Sequence, residues 1–379
     1  MQKMHKSKRN GKIEFLRFVF CMAVLLFHCC KYVLGEPSCE KGYHLSLFCH
    51  GSMGVEFFFL VSGVLMAKTA YKKNEFKGNL SGDLDGKALA ADSLQFLKGK
   101  YLGIFPMHVP AFVFAFVTYA VVEKLNWLKI LSGALESIPN LFLVQMTGMG
   151  MVNPNHVTWY ISCMLIAMAV LYPLCRKYYT MFTHYIAPLS AVLLLGYCMK
   201  TTGRLTGVSH WSGICYKSVL RAIIEIALGA AAFELARHIS GRKYKKAARN
   251  LFAAAEFLLF VCIMVYCVGT FPHQWEQLEL AALFLLVTLA FSGVSSGAGF
   301  FDNAVFFHLG KLSLPLYLTQ VGVINIVTGL FDGLPHRRQI LVIVAGTFAA
   351  AYVLLWMEKG IRYIFDSRRN VGQRGTESL

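Results

Sequence analysis

Residues 13–34 read IEFLRFVFCMAVLLFHCCKYVL, a run of apolar side chains with few charges. A helix of roughly 20 such residues crosses a hydrocarbon core about 30 Å thick. Similar runs recur from one end of the chain to the other. The predicted spans are 13–34, 49–68, 102–122, 157–175, 183–200, 218–236, 250–270, 279–296, 304–330 and 339–358. The sequence therefore predicts an all-α integral membrane protein with about ten transmembrane helices.

The composition is that of a chain that lies almost wholly in a lipid bilayer. Hydrophobic residues make up 56% of the 379 residues and charged residues only 15%, whereas soluble domains have about 25% charged residues. The spans leave no segment long enough for a separate soluble domain. We predict one polytopic membrane domain over 1–379, with a basic N-terminus at 1–12 and a basic tail at 359–379.

The positions of the basic residues predict the topology. The formal charge is +17, but the Lys and Arg residues cluster between spans and form no stripe with interleaved aromatics. Nucleic acid is therefore not an expected partner. The most basic segments are the N-terminus, 68–100, 237–249 and the tail. With ten spans all four fall on one side, which the positive-inside rule makes cytoplasmic, so that both termini are cytoplasmic.

The eleven cysteines contain no CxxC pair and no Cys/His spacing typical of zinc sites, so we expect no metal. Cys39 and Cys49 fall in the first outward-facing loop, where oxidising conditions permit a disulfide. The pattern leaves open whether this bridge forms.

The stretch 131–156 is apolar in part, but glycines and a proline break it before it is long enough to span a bilayer. It predicts either a re-entrant or interfacial segment that roofs a cavity from outside, or a loop packed on the bundle. Gly54 and Ser62-Gly63, in the second span, predict close helix packing.

Three ionisable side chains share one face of the first predicted helix: Glu14, Arg17 and His28. At about 100° per residue, the turn from Arg17 to His28 is about 20° more than three full turns, and the rise is about 16 Å. Arg17 thus falls near the cytoplasmic boundary, and His28 past mid-depth toward the outside. A neutral imidazole there is able to take a proton from a hydroxyl. The alternatives are a histidine satisfied by hydrogen bonds inside the bundle and an arginine that anchors the helix at the interface.

Five motifs occur in the order found in the membrane acyltransferase-3 family, and together they resemble that family over essentially the whole chain. They are Glu14-Phe-Leu-Arg17 with Phe27-His28, Gly54-Val-Glu56-Phe57-Phe58-Phe59-Leu-Val-Ser62-Gly63, the basic segment from Phe96 to Pro106, His156-Val-Thr-Trp159-Tyr160 with Tyr172-Pro173, and Leu309-Gly310-Lys-Leu-Ser313 with Leu316-Tyr317-Leu318.

The resemblance implies transfer of an acyl group, most commonly acetyl, from cytoplasmic acyl-coenzyme A to a hydroxyl. The implied acceptor is a cell-surface polysaccharide, a glycolipid or a lipid-linked precursor, and the implied location is a bacterial plasma membrane. His28 would be the base, and Arg17 would hold either the donor or the helix that carries His28. Glu56 would orient His28 as a carboxylate orients an imidazole in hydrolytic triads, or would simply lie near the outer interface.

For the donor, the resemblance indicates Lys98 and Lys100, which stand where Arg is usual in the family. Arg221 is a further candidate for the coenzyme, although it lies one helical turn from Glu225 and would pair most easily with that residue. Basic loops alone do not identify a coenzyme site, because the positive-inside rule already explains them.

For the acceptor, we expect His156, Trp159, Tyr317 and Gln320 to contribute, although Trp159 is also typical of an interfacial aromatic belt. Gln320 stands where many members of the family have His, and a glutamine still hydrogen-bonds an acceptor. The rival interpretation is a transporter or flippase whose intramembrane Arg and His bind a substrate or relay protons. No internal repeat supports that rival, and the patterns do not specify an oligomeric state.

Overall fold

The chain forms a bundle of long helices, as the sequence predicts. The computed structural model describes residues 10–35, 48–76, 84–149, 152–272 and 275–376. The long helices in these residues are α1 (Gly11–Val33), α2 (Gly54–Phe76), α3 (Gly86–Val122), α6 (Trp159–Lys177), α8 (Ala187–Thr202), α9 (Lys217–Ser240), α10 (Lys246–Val268), α11 (Glu276–Ser292), α12 (Ala304–Leu330) and α13 (His336–Thr376). The shorter elements are α4 (Trp127–Glu136), α5 (Ile138–Leu141), α7 (Tyr179–Met181) and an antiparallel hairpin of β1 (Trp211–Ser212) and β2 (Cys215–Tyr216).

Eight of these helical segments are long and apolar enough to cross a membrane, which makes the chain a multi-pass membrane protein. Each predicted span coincides with one long helix. α8 counts among the eight because it continues from α7 through a π-helical turn, Phe182–Ile186, as one segment of 24 residues, Tyr179–Thr202. α11 and α9 are not among the eight. α11 has only 17 residues, and α9 carries several charged side chains, among them the buried Arg221 and Glu225. The count of ten spans and the cytoplasmic termini stay predictions.

α3 begins earlier than the apolar pattern indicates, at Gly86 rather than near 102. Asp85 caps its first turn, because the carboxylate accepts a hydrogen bond of 2.6 Å from the Ala88 amide. The same helix continues through Pro106 and Pro110 to Val122. The basic segment that holds Lys98 and Lys100 is therefore a helical extension of the third span.

α9 occupies the middle of the bundle and packs against α2, α6, α8 and α11, while α12 packs against α1, α3 and α13. Gly63 on α2 and Gly229 on α9 bring two backbones together. A Cβ at Gly63 would lie 2.1 Å from the Ile226 carbonyl oxygen, and one at Gly229 would lie 2.1 Å from the Leu60 carbonyl oxygen. Gly54 meets the Phe20 carbonyl oxygen in the same way. The predicted close packing at Gly54 and Gly63 is confirmed.

The stretch 131–156 does not span the bundle. From Ser137 onward it is fastened to its neighbours: His108 Nε2 lies 3.1 Å from the carbonyl oxygens of Asn140 and Leu141, and Asn140 Nδ2 donates to Thr158 Oγ1 at 2.9 Å. This part packs on the bundle, whereas no residue of α4 is buried. Cys49 is buried, but Cys39 lies outside the described residues, so the Cys39–Cys49 bridge stays a prediction.

Candidate active site

His28 lies near the C-terminal end of α1 and faces α12. Its Nδ1 atom is 3.1 Å from Oε1 of Gln320, a side chain that is fully buried. His28 itself is only half-buried. Gln320 therefore contacts the candidate base directly.

The orientation of the Gln320 amide decides which nitrogen of His28 carries a proton. Gln320 Nε2 donates to the carbonyl oxygen of Tyr317 at 2.9 Å, and a carbonyl only accepts hydrogen bonds. The amide oxygen is therefore the atom that faces His28, and it accepts a hydrogen bond from Nδ1–H. In a neutral imidazole this leaves the lone pair on Nε2.

His156 and Tyr32 complete a polar cluster around His28. The ring centroids of His28 and His156 are 5.8 Å apart, with an edge-to-face geometry. Tyr32 Oη lies 3.1 Å from His156 Nε2. Tyr32 was not among the residues predicted from the sequence, although it follows His28 by four positions and such a pair lies on one face of a helix.

Tyr317 and Trp159 lie in the aromatic layer next to this cluster. Tyr317 Oη donates to the Val157 carbonyl oxygen at 2.5 Å, and its ring packs against Tyr160 at 6.0 Å. Trp159 contacts the ring of Phe59 at 6.1 Å. Tyr317 thus positions both Gln320, through its carbonyl, and the start of α6, through its hydroxyl.

Arg17 and Lys100 form a second group, toward the other end of α1. Arg17 Nη1 lies 3.5 Å from Glu14 Oε2, and 31% of the Arg17 side chain is exposed. Lys100 of α3 is close enough to interact electrostatically with Arg17, and its ammonium lies over the Phe96 ring at 5.5 Å. Within the described parts of the chain, Lys100 makes no ion pair of 4 Å or less with a carboxylate. Lys98 is exposed.

Glu56 and Arg221 belong to a third group, which is fully buried. Arg221 donates from Nη2 to Glu56 Oε1 at 2.5 Å and from Nε to Glu225 Oε1 at 2.7 Å. The predicted Arg221–Glu225 pair is confirmed. Glu279 of α11 lies within hydrogen-bonding reach of Glu56. Glu56 therefore binds an arginine on α9, while the hydrogen bond to His28 comes from Gln320.

A cavity of about 410 Å³ lies elsewhere, between α1, α10 and α11, and Lys12, Phe260 and Glu256 line part of it. Along α1 it is about 24 Å from Lys12 to His28, so this cavity is separate from the histidine cluster. Within the described ranges, no group of three or more His, Cys, Asp or Glu side chains is arranged to hold a metal ion.

An apolar helical bundle that gathers histidines, an amide and a tyrosine between its helices defines a multi-pass membrane protein with an internal polar site. The sequence profile of the acyltransferase-3 family, described as an acyltransferase domain, matches residues 10–356. The chain belongs to this family and is a membrane acyltransferase. Comparison with curated proteins and with solved structures gave no match. Membership in the family favours the enzyme over the transporter or flippase.

Proposed function

We propose that the protein transfers an acyl group, in the first instance acetyl, from cytoplasmic acyl-coenzyme A to a hydroxyl of a cell-surface polysaccharide, glycolipid or lipid-linked precursor. The observation that carries this proposal is the hydrogen bond between His28 and Gln320, because it holds an imidazole in a tautomer with a free Nε2 lone pair. The whole chain would act as one membrane domain with ten spans, in a bacterial plasma membrane.

In the proposed reaction His28 Nε2 removes the proton of the acceptor hydroxyl as the oxygen attacks the thioester carbonyl carbon. A carbon–oxygen bond forms and the carbon–sulfur bond breaks. The proton then passes from His28 to the departing thiolate, so that coenzyme A leaves as the thiol. The reaction needs no redox partner, and the histidine returns to its starting state.

Arg17 and Lys100 are proposed to hold the phosphates of the donor. Their charges are close together and Glu14 offsets only part of them, so an anion would relieve their mutual repulsion. The rise of about 16 Å along α1 separates Arg17 from His28, and the donor's thioester end would have to extend over this distance. Lys98, exposed beside Lys100 on α3, would add positive charge at the entrance.

Arg221 fits this donor site less well than the sequence predicted. Nη2 of Arg221 forms an ion pair with Glu56, and Nε forms one with Glu225. Only 3% of the Arg221 side chain is exposed. We propose instead that Arg221 and Glu56 act together as a structural link between α2 and α9.

His156, Tyr32 and Tyr317 are proposed to form the acceptor side of the site. His156 lies against His28 and is half-buried, while Tyr32 is 42% exposed. A hydroxyl that enters beside Tyr32 would meet His156 and His28 together. Trp159, packed on Phe59, would contribute the wall of the site.

The experiment is incorporation of radiolabel from acetyl-coenzyme A in inverted membrane vesicles. We expect the parent protein to label a glycan or glycolipid fraction, with label that mild base releases as an ester does, and His28→Ala to abolish it. His308→Ala is the matched control, because His308 is exposed and bonded to Tyr352 on α13. Equal labelling in vesicles with and without the protein, or label stable to base, would overturn the proposal.

A further inference from the structure

α4 is an amphipathic helix whose apolar face is largely uncovered by the residues that the structure describes. Trp127, Leu128, Ile130, Leu131 and Leu135 are all between 39% and 70% exposed. At about 100° per residue they fall within an arc of about 160°, while Lys129, Ser132 and Glu136 occupy the opposite side.

The position of α4 places it beside the last turns of α3. Four residues connect Val122 to Trp127, which keeps the start of α4 within a short reach of the end of α3. Gly133 faces α3: a Cβ there would lie 3.7 Å from the Phe116 ring. Because Phe116 precedes Val122 by six residues, α4 lies at the level of the final turns of a membrane-spanning helix, not beyond them.

α3, which precedes α4 in the chain, carries an apolar stripe of its own that is exposed on the outside of the bundle. Val113, Val117 and Val121 follow one another at four-residue intervals and are 50%, 50% and 57% exposed. This stripe lies on a helix that is long and apolar enough to span the bilayer, and it ends where α4 begins. Apolar surface of this extent marks contact with a membrane or a partner when it is not covered by the protein itself.

We propose that α4 binds the lipid bilayer itself, lying in the plane of the boundary between headgroups and acyl chains at the end of α3. Trp127 would sit at headgroup level, as tryptophan does in aromatic belts, and the leucines would enter the acyl region. α4 carries Lys129 and Glu136, one charge of each sign, so binding would rest on apolar contact and not on anionic lipid.

Membrane binding by α4 would also fix the position of the residues that follow it, from Ser137 toward His156. Ser137 ends α4 with a hydrogen bond to the Gly133 carbonyl oxygen, and the chain then continues to the turn that holds His156. A helix fixed in the interface would hold this segment at a constant depth, above the site formed by His28 and His156.

The test places spin labels on two adjacent positions of α4 in the full-length protein, reconstituted in phosphatidylcholine vesicles. The matched pair is Leu131→Cys on the apolar arc and Ser132→Cys on the polar arc. The background is Cys39→Ala, Cys215→Ala and Cys262→Ala, because Cys39 falls in a predicted outer loop, Cys215 is half-exposed and Cys262 is exposed. We expect oxygen to relax the label at 131 and an aqueous nickel chelate to relax the label at 132. Addition of phosphatidylglycerol should leave both values unchanged.

Three outcomes would overturn the proposal: access of the nickel chelate to 131 as great as to 132, protection of both labels from both reagents, or a shift that requires anionic lipid. Protection of both labels would indicate a protein partner.

Quenching of tryptophan fluorescence by brominated lipid, compared between the parent and Trp127→Phe, gives a second readout in which the leucines of α4 are unchanged. Neither readout depends on acyl transfer, so its failure is distinct from failure of the proposed function.

Discussion

Gln320 accepts a hydrogen bond from Nδ1 of His28, which leaves Nε2 free for the base role proposed above. Replacement by methionine keeps similar size but removes both amide bonds. We expect Gln320→Met to lower kcat by about two- to tenfold, since a hydrogen bond contributes roughly 0.5–1.5 kcal/mol and about 1.4 kcal/mol is a factor of ten in rate. Steady-state kinetics with saturating donor would measure this.

Gln320→Glu is the matched control, because its carboxylate still accepts a hydrogen bond from His28 Nδ1. This variant should retain more activity than Gln320→Met and should show a shifted pH profile of kcat. A Gln320→Met enzyme with the parent kcat, or with a change only in the acceptor KM, would show that the amide does not set the tautomer of His28.

The sequence indicated that Arg17 and His28 share a face of α1, because that relation depends only on helix geometry. It did not indicate which partner each buried polar side chain takes. The sequence left open whether Glu56 orients His28 or lies near the outer interface, and it did not indicate the bond that Glu56 makes to Arg221, a residue 165 positions away. Such pairs depend on how whole helices pack, which a local pattern does not contain.

The close contact between helices α2 and α9 depends on two glycines, Gly63 and Gly229. We expect Gly229→Ala to lower stability by about 1–3 kcal/mol, because the added Cβ would overlap the Leu60 carbonyl oxygen and overpacking costs that much. Thermal unfolding in detergent would measure it. Gly196→Ala on α8 is the control, since nothing lies within 4 Å of that position, and a helical Gly→Ala change there should be neutral or stabilising. Equal melting temperatures for the two variants would contradict the close packing.

Arg221 joins α9 to α2 through its ion pair with Glu56, and it also pairs with Glu225 on its own helix. Arg221→Met should cost about 3–5 kcal/mol of stability, because Glu56 and Glu225 would stay buried without their cation. The triple variant Arg221→Met, Glu56→Gln, Glu225→Gln removes the charges together and should recover much of this loss. If Arg221→Met instead kept normal stability and raised only the KM for acyl-coenzyme A, the residue would belong to the donor site and not to a structural link.

The helices were largely predictable, because long apolar runs are a local property of the sequence and each of the ten predicted spans coincides with a helix. The early start of α3, at Gly86, was not predictable from the apolar pattern. Residues 86–101 are polar in part and carry Lys98 and Lys100, so hydrophobicity alone indicated a loop there. The cap by Asp85 and the packing of Phe96 on Tyr172, with ring centroids 3.8 Å apart, explain why this stretch is helical.

For the whole molecule, the charge distribution predicts that both termini and the basic segments 68–100 and 237–249 are cytoplasmic. A cysteine placed at 85 or at 244 should stay unlabelled by an impermeant reagent in intact cells and react in inverted vesicles. Ile214→Cys is the control for the outer side, because Ile214 is 94% exposed at the turn between β1 and β2. Labelling of 85 or 244 in intact cells would refute the topology.

The role of His28 as the general base is tested by measuring acyl transfer with purified His28→Ala protein of normal abundance and thermal stability. General-base assistance contributes typically about 10²–10⁴-fold in rate, so we expect transfer by His28→Ala to be at least about a hundredfold below that of the parent. Donor binding should persist, because Arg17 lies about 16 Å from His28 along α1 and Lys100 lies close to Arg17. Transfer within a few-fold of the parent would contradict a general-base role and show that His28 is a structural residue.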